Sequence, residues 1–419
     1  DDFFVFFFDN ETGLNSYESL DIGVGRFPVR TTEEGKIAVD KILRYTSYTD
    51  LSKNSNTIIS NYADWRNSVC LVSDDEDGNI YVNDTELFYN KLKNNNKVIN
   101  VDKVYFDSYP QISNAGGQRY PDATDAINQR VEKGSLIVNY IGHGGELGWA
   151  HERVLQISDI LKWKNINNMP LFFTATCEFS RYDDPKMTSA GELVFLNANG
   201  GGIALLTTSR LAYQAPNMVL NNSFFNNVFV KKNGKYPTLG DLMRIAKNDA
   251  GNNYAIRNFV LLGDPALRLA YPRYNVVTTH VNGKSVDSNN DTIEAMSTVT
   301  IRGIITDENQ NKMNYNGVLY PTIYDKPMIV KTLANDPGSY QSNFELAKAI
   351  LYKGKASIVN GDFEFTFVVP KDIAYYYGFG KISYYAKNDT SDANGFYDKL
   401  IVGGYNQSVT PDETGPKIK

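Results

Sequence analysis

Two textures of apolar and polar positions divide the chain. Up to about residue 272, short unbroken apolar runs alternate with stretches of helical periodicity. The runs at 3–8, 68–72, 101–106, 136–141, 171–176 and 202–208 have the length and continuity of strands covered on both faces. Helices are predicted between them. Thr31 and Glu34 have capping-box spacing ahead of Ile37, Val39, Ile42 and Leu43. Asp84 or Thr85 caps a second helix, with Leu87, Phe88 and Leu92 as its stripe. A third runs over 122–133 and stops at Gly134. Others are expected over 188–199, over 216–231 and from Pro237 to about 250. Strand and helix in alternation predict an α/β domain with a mainly parallel sheet.

After Tyr271-Pro272 the period changes to two. Val299 and Ile301 alternate with Thr300 and Arg302, and Phe363, Phe365 and Phe367 with Asp362, Glu364 and Thr366. Ile382 and Tyr384 repeat the pattern. Such segments, broken by turns such as Asp307-Glu308-Asn309, predict an all-β sandwich over 273–404. Residues 405–419 read as a linker, and the apolar start as a strand whose domain is cut open, so an excerpt of a longer protein is expected.

Composition narrows the class. The 419 residues are 42% hydrophobic, enough for two or three cored domains. The net charge is −6, and no basic run of five or more occurs, which argues against a nucleic-acid binder. The longest apolar runs fall well short of the roughly 18–20 residues of a membrane helix. No basic segment precedes the Phe-rich start, so it does not read as a signal peptide. Two cysteines make no disulfide scaffold. Sparse Cys with abundant Tyr and Asn suits an exported bacterial surface protein.

Three histidines and two cysteines restrict the possible nucleophile–base pairs. Cys70 lies inside an apolar run and reads as a small buried hydrophobe. His280 lies in the β region. His143 and Cys177, in contrast, each sit just past the C-terminal end of a predicted strand, where open parallel sheets bind ligands. Their separation of 34 residues suits strand, helical crossover, strand. Glycines flank the histidine in Gly142-His143-Gly144-Gly145. The N–H groups of Gly144 and Cys177 are candidates for an oxyanion hole, worth about 3–4 kcal/mol per donor. Cys177 is therefore the candidate nucleophile and His143 its acid–base partner. His151, in a mixed-charge stretch, suits a surface or substrate-rim role better than that of base.

An apolar strand, His-Gly, a crossover, an apolar strand and Ala/Thr-Cys together resemble the caspase–legumain–gingipain group of cysteine peptidases. Asn139-Tyr140-Ile141-Gly142-His143-Gly144-Gly145-Glu146 resembles the gingipain histidine motif. Arg257-Asn258-Phe259-Val260-Leu261-Leu262-Gly263-Asp264-Pro265-Ala266-Leu267 resembles the stretch that closes the gingipain catalytic domain. The stretches 21–30, 148–153 and 175–181 narrow the likeness to the sorting branch of that family, which serves type IX secretion. The likeness covers about 1–272 and continues through 380–386.

The resemblance implies a caspase/gingipain-like catalytic unit of two subdomains, placed here at 1–105 and 106–272, followed by an immunoglobulin-like β domain. It implies exposure on the outer face of a bacterial outer membrane, beside secretion-complex proteins. The implied reaction removes C-terminal sorting domains from cargo proteins and joins the new carboxyl end to a lipopolysaccharide amine through a Cys177 thioester. Trp149, Phe179 and Tyr182 are expected to line the substrate rim. The gingipain acid falls just past the strand equivalent to 68–72, which makes Asp75 the first choice for a third member and Asp74 the second. The family has Glu there, so the reach of Asp is shorter. The same acidic stretch also reads as a solvated turn or a calcium loop, in which Asp75, Asp77 and Asp84 partly fit EF-hand spacing. No cofactor is expected beyond such a structural calcium.

Overall fold

The computed structural model describes residues 2–7, 19–47, 61–251, 254–287 and 292–406. The chain divides into two compact units. One comprises residues 1–271 together with 329–344, and the other 272–328 together with 345–419.

The first unit is built on one six-stranded sheet. Its strands are β1 (Ser68–Ser73), β2 (Asn100–Tyr105), β3 (Ile137–Ile141), β4 (Leu171–Ala175), β5 (Ala204–Thr208) and β6 (Phe259–Leu262), in the order β6-β5-β4-β3-β1-β2. All neighbours are parallel except β5 and β6. The expected boundary at 105/106 therefore lies within a single sheet, at the end of β2. Residues of alternate parity serve opposite faces. Cys70, Val72, Val138, Tyr140 and Phe172 join one core with Ala38, Ile127, Val131 and Val194. On the other face Phe173 packs against Phe224, and the buried Asn139 amide donates to Asn221 at 3.0 Å. That pairing satisfies a polar side chain in mid-strand.

Six of the helices are α1 (Thr32–Thr46), α2 (Ile80–Asn95), α3 (Pro121–Lys133), α4 (Ala190–Leu196), α5 (Gln214–Asn227) and α6 (Leu239–Ala250). Thr31 caps α1 by accepting the Glu34 N–H, as its spacing predicts, and Ser189 with Glu192 forms a capping box on α4. Helix α2 begins a turn earlier than Asp84 or Thr85. Asp77, Gly78 and Asn79 all take left-handed conformations and turn the chain into the helix, while the Thr85 hydroxyl donates to the Tyr81 carbonyl inside it. The start also departs from expectation, since residues Asp2–Val5 form a 3-10 turn, not a strand; Phe8 lies outside the described residues.

Two of the motif stretches meet as a structural joint. Arg26 N–H donates to the Leu261 carbonyl and Gly263 N–H to the Arg26 carbonyl, each at 2.8 Å. A Cβ on Gly25 would stand 2.5 Å from the Gly263 oxygen, so only glycine fits this crossing.

In the second unit, strands β7 (Tyr274–Val281), β8 (Thr298–Thr306), β9 (Gly317–Tyr324), β10 (Ala356–Val359), β11 (Asp362–Val368), β12 (Gly378–Lys387) and β13 (Asp392–Tyr405) pair in the order β7-β8-β11-β10-β9-β12-β13. A parallel contact from β13 back to β7 closes the ring. The period-two reading holds: Phe363, Phe365 and Phe367 point into the core and their neighbours out. The unit is all-β as expected, but hydrogen bonding runs round seven strands as one barrel-like sheet, where an immunoglobulin-like sandwich of two sheets was anticipated. Of the expected linker, 407–419 lies outside the described residues.

Candidate active site

The register of the sheet decides where the histidine and the cysteine stand. Strands β3 and β4 are parallel neighbours, with Ile137 opposite Leu171 and Ile141 opposite Ala175. The offset is that of the pair itself. His143 is two residues past Ile141 and Cys177 two past Ala175, so both emerge side by side at the carboxyl rim. The two turns touch: the Gly142 N–H reaches the Ala175 carbonyl at 3.4 Å, and a Cβ on Gly144 would meet the Thr176 hydroxyl at 2.7 Å.

Cys177 is free and half-buried. The Ala212 N–H lies 3.4 Å from its sulfur and the Ala212 carbonyl 3.5 Å. Glu178, directly after it, has φ of 51°, a left-handed conformation that costs a non-glycine residue free energy. Ala150 (61°) and Arg153 (57°), in the strap after the histidine, share that conformation.

The histidine turn rests on Asp74. Its carboxylate accepts the His143 N–H at 2.6 Å, and the His143 carbonyl accepts from the Tyr140 hydroxyl at 2.6 Å and the Ala150 N–H at 2.8 Å. A Cβ on Gly142 would stand 2.3 Å from the Asp74 Cβ. The hydrogen-bonded pair of residues 143 and 150 also sets the direction of the next N–H. Antiparallel pairs alternate, so Gly144, opposite Trp149, turns its N–H out of the hairpin. Among the described residues the Cys177 N–H donates to no backbone acceptor.

The imidazole itself meets Asp77. His143 Nε2 is 3.0 Å from Asp77 Oδ2 and 3.3 Å from the Tyr81 hydroxyl, which donates to the same carboxylate at 2.8 Å. Tyr81, and then His143, hold the Asp77 carboxyl below the ordinary range despite some desolvation. Burial, and then Asp77, raise the Tyr81 hydroxyl well above its usual value; the Cys177 sulfur is near enough to contribute. Nε2 is thus the ring nitrogen that the acidic loop engages. His151 stacks on His143 with centroids 5.1 Å apart, and its Nδ1 lies 2.8 Å from Glu76, whose hydrogen bond raises the His151 pKa.

Asp75, the first choice of acid from the sequence, stands elsewhere. It is 1% exposed and receives the Tyr120 hydroxyl, with no hydrogen bond to His143 among the described residues. In β1 the side chains alternate, and two further residues are needed before a left-handed turn at Asp77 brings a carboxylate back to the rim. Of the residues read as a calcium loop, Asp77 meets His143, Asp75 meets Tyr120, and Asp84 lies in α2, where Gln214 donates to its carboxylate. The carboxylates that do converge are Asp74, Asp75 and Glu152.

The expected rim is corrected as well. Trp149 and Phe179 are fully buried, and Trp149 stacks on Tyr140 with centroids 4.3 Å apart. Their apolar rings serve the core beneath the site. Tyr182 is half-buried under the Arg26 guanidinium. The exposed apolar side chains near the two turns are Leu147, at the tip of the histidine hairpin, and Leu211 and Tyr213, either side of Ala212. Sequence reading named Asp77 only as a calcium ligand, not as the partner of His143, and missed Tyr81 and the Ala212 loop. The one available signal was Asp77-Gly78-Asn79, a triplet suited to left-handed turns.

A final piece of the site comes from far along the chain. Residues 329–344 grip the acidic loop: Ser339 donates to the Asp75 carbonyl at 3.0 Å, and Asn79 and Tyr340 exchange two hydrogen bonds. Asp107 accepts the N–H groups of Ala334 and Asn335 at 3.0 and 2.7 Å.

The model of peptidase family C25 matches residues 1–270. Among solved structures, the Arg-specific cysteine proteinase gingipain R (RgpB) is similar at 16% identity, over 93% of this chain and 76% of that one, with a TM-score of 0.49. The pro- and mature-domain complex of RgpB from Porphyromonas gingivalis gives 16% identity, 89% and 76% coverage, and 0.48. Dimeric latent PorU from Porphyromonas gingivalis is 22% identical over 99% of this chain, with a TM-score of 0.36; the chain spans 33% of that protein. No curated protein matches. With well over half of its length covered by the family model, the chain belongs to peptidase family C25, the gingipain family of cysteine peptidases.

Proposed function

We propose that this chain is the catalytic part of a sorting cysteine peptidase that acts as a transpeptidase. The observation that carries the chemistry is the shared β3–β4 register, which sets His143 and Cys177 side by side with Asp77 behind the imidazole. The Cys177 thiolate attacks the scissile carbonyl, and the N–H groups of Gly144 and Cys177 receive the oxyanion. His143 gives its proton to the leaving amine, which departs with the sorting domain. The acyl group stays on sulfur as a thioester. An incoming amine then attacks, His143 takes its proton, and an amide replaces the thioester.

What supports a sorting role over plain hydrolysis is the motif likeness at 21–30, 148–153 and 175–181. On that reading the substrates are secreted cargo proteins with C-terminal sorting domains and the acceptor is a lipopolysaccharide amine. The place is the outer face of an outer membrane, among secretion-complex proteins. Leu147, Leu211 and Tyr213 replace the buried aromatics as the apolar rim that receives the cargo tail.

Product analysis with and without an added amine tests this. Amines such as glycine or an amino sugar are expected to divert product from free acid to amide with little change in cargo consumption. Only free-acid termini at high amine concentration would replace this reading with a gingipain-like endopeptidase. A chain that consumes no cargo and forms no adduct at Cys177 would be a non-enzymatic assembly module.

A further inference from the structure

The loop that carries Asp77 is held from outside, and Asn79 is its point of attachment. Asn79 opens α2 with φ of 66° and ψ of 12°, and its side chain makes no capping bond to the helix. An asparagine at a helix start ordinarily accepts an N–H of the first turn. Here the amide is turned the other way. Its nitrogen donates to the Tyr340 carbonyl at 2.7 Å and to the Ser342 hydroxyl at 3.1 Å, and its oxygen accepts the Tyr340 N–H at 3.0 Å. The residue is 1% exposed, so these bonds form out of water, where they are stronger.

The strap over 332–342 is itself a fixed point. The Thr332 N–H donates to the Ser342 carbonyl and the Ser342 N–H to the Thr332 hydroxyl, both at 2.9 Å, which ties its two ends together. Asp107, just after β2, accepts the N–H groups of Ala334 and Asn335, and the Asn335 amide donates to the Tyr109 carbonyl at 3.0 Å. Asp336 accepts from the amides of Gln111 and Gln118 and is hydrogen-bonded to the carboxyl of Asp75. Ser339 donates to the Asp75 carbonyl. The strap therefore joins the end of β2 to the loop after β1.

The place of Asn79 in the sequence gives this attachment its consequence. It lies midway between Asp77 and Tyr81, the two residues that engage His143 Nε2. The Asp77 side chain is 55% exposed, so packing does little to hold it. On a loose loop an exposed carboxylate spreads over many conformations, and the histidine loses its partner for much of the time. We propose that Asn79 is a positioning residue for the Cys177–His143 reaction: clamped by residues 340–342, it holds Asp77 and Tyr81 against the imidazole and so sets the reactivity of the cysteine. Fixing Asn79 fixes the left-handed turn at 77–79, and with it the direction in which Asp77 leaves the loop. This inference rests on the Cys177–His143 pairing proposed above and is indifferent to whether water or an amine resolves the thioester.

The test is the rate of Cys177 alkylation by iodoacetamide in the 419-residue chain, with melting temperature read alongside. Asn79→Gly removes the amide and keeps a residue at ease in the left-handed turn. It should slow alkylation at neutral pH roughly three- to tenfold, with the rates converging in alkali. Because Asn79 acts through Asp77, adding Asn79→Gly to Asp77→Asn should slow the reaction no further. Ser339→Ala with Ser342→Ala loosens the strap while leaving Asn79 in place, and should slow alkylation roughly two- to fivefold even where Asn79→Gly fails to fold. Tyr340→Phe removes only the hydroxyl that meets Asn83 and should react like the unaltered chain. A folded Asn79→Gly that melts lower but alkylates at the unaltered rate has lost a purely structural bond, and overturns the proposal. So does a full additional slowing in the Asp77→Asn background, or an equal slowing in Tyr340→Phe. Failure of the Cys177–His143 reading shows differently: Asp77→Asn then changes nothing, and the proposal falls with it.

Discussion

Asp77→Asn is the substitution that most sharply divides the geometry seen here from the expectation that Asp75 orients the histidine. The change keeps the shape of the side chain and its link to Tyr81, and it removes the negative charge 3.0 Å from His143 Nε2. A hydrogen bond to a charged group contributes about 1.5–3 kcal/mol. The Asp77 side chain is 55% exposed, so solvent screens it and the lower end applies. A loss of about 1.4–2 kcal/mol corresponds to a roughly ten- to thirtyfold lower population of the thiolate–imidazolium pair. The assay needs no substrate: the rate of Cys177 alkylation by iodoacetamide is followed against pH. At neutral pH the variant should react roughly ten- to thirtyfold more slowly. In alkali, where any thiol ionises, the two rates should converge. Superimposable profiles in a folded variant would refute the assignment of Asp77.

Other expectations can be checked with similar economy. Cys70 is buried and its thiol is pushed well up by desolvation, so iodoacetamide should leave it untouched in the native chain while Cys177 reacts; peptide mapping reads both. Gly142→Ala should cost about 2 kcal/mol or more in a denaturant titration, since the new Cβ would meet Asp74 at 2.3 Å. Lys41 is buried beside the carbonyls of Phe195 (2.6 Å) and Gly200 (2.9 Å), and burial lowers its pKa from 10.5 to about 7. Between those values the unfolded chain binds the extra proton, so this group makes stability rise with pH by up to about 1.4 kcal/mol per unit. Lys41→Met should flatten that slope, and a slope unchanged by the substitution would contradict it.

Much of this site was legible because periodicity and spacing report on strands. Cys177 and His143 each end an apolar run, and a 34-residue offset equals the β3–β4 register. What escaped depends on contacts between distant segments. Asp77 reaches His143 only because three successive left-handed residues reverse the loop, and Asp75 faces inward to Tyr120 for the same reason. Trp149 beside a glycine hairpin looks like a surface aromatic until Tyr140 is seen stacked on it. The clamp at 329–344 could not be foreseen, because a period-two region gives no sign that part of it returns to an α/β unit. The parallel closure of β13 onto β7 is invisible for the same reason: alternation reports which face is buried, not which edge is paired.

The most direct test of the account is to trap the acyl-enzyme. A peptidyl electrophile that mimics the acyl carbon should add once to the chain, and mass spectrometry should place the adduct on Cys177. His143→Ala should slow that addition steeply, and Cys177→Ala should abolish it while the fold survives. An adduct on any other residue, or unchanged trapping in Cys177→Ala, would contradict the account.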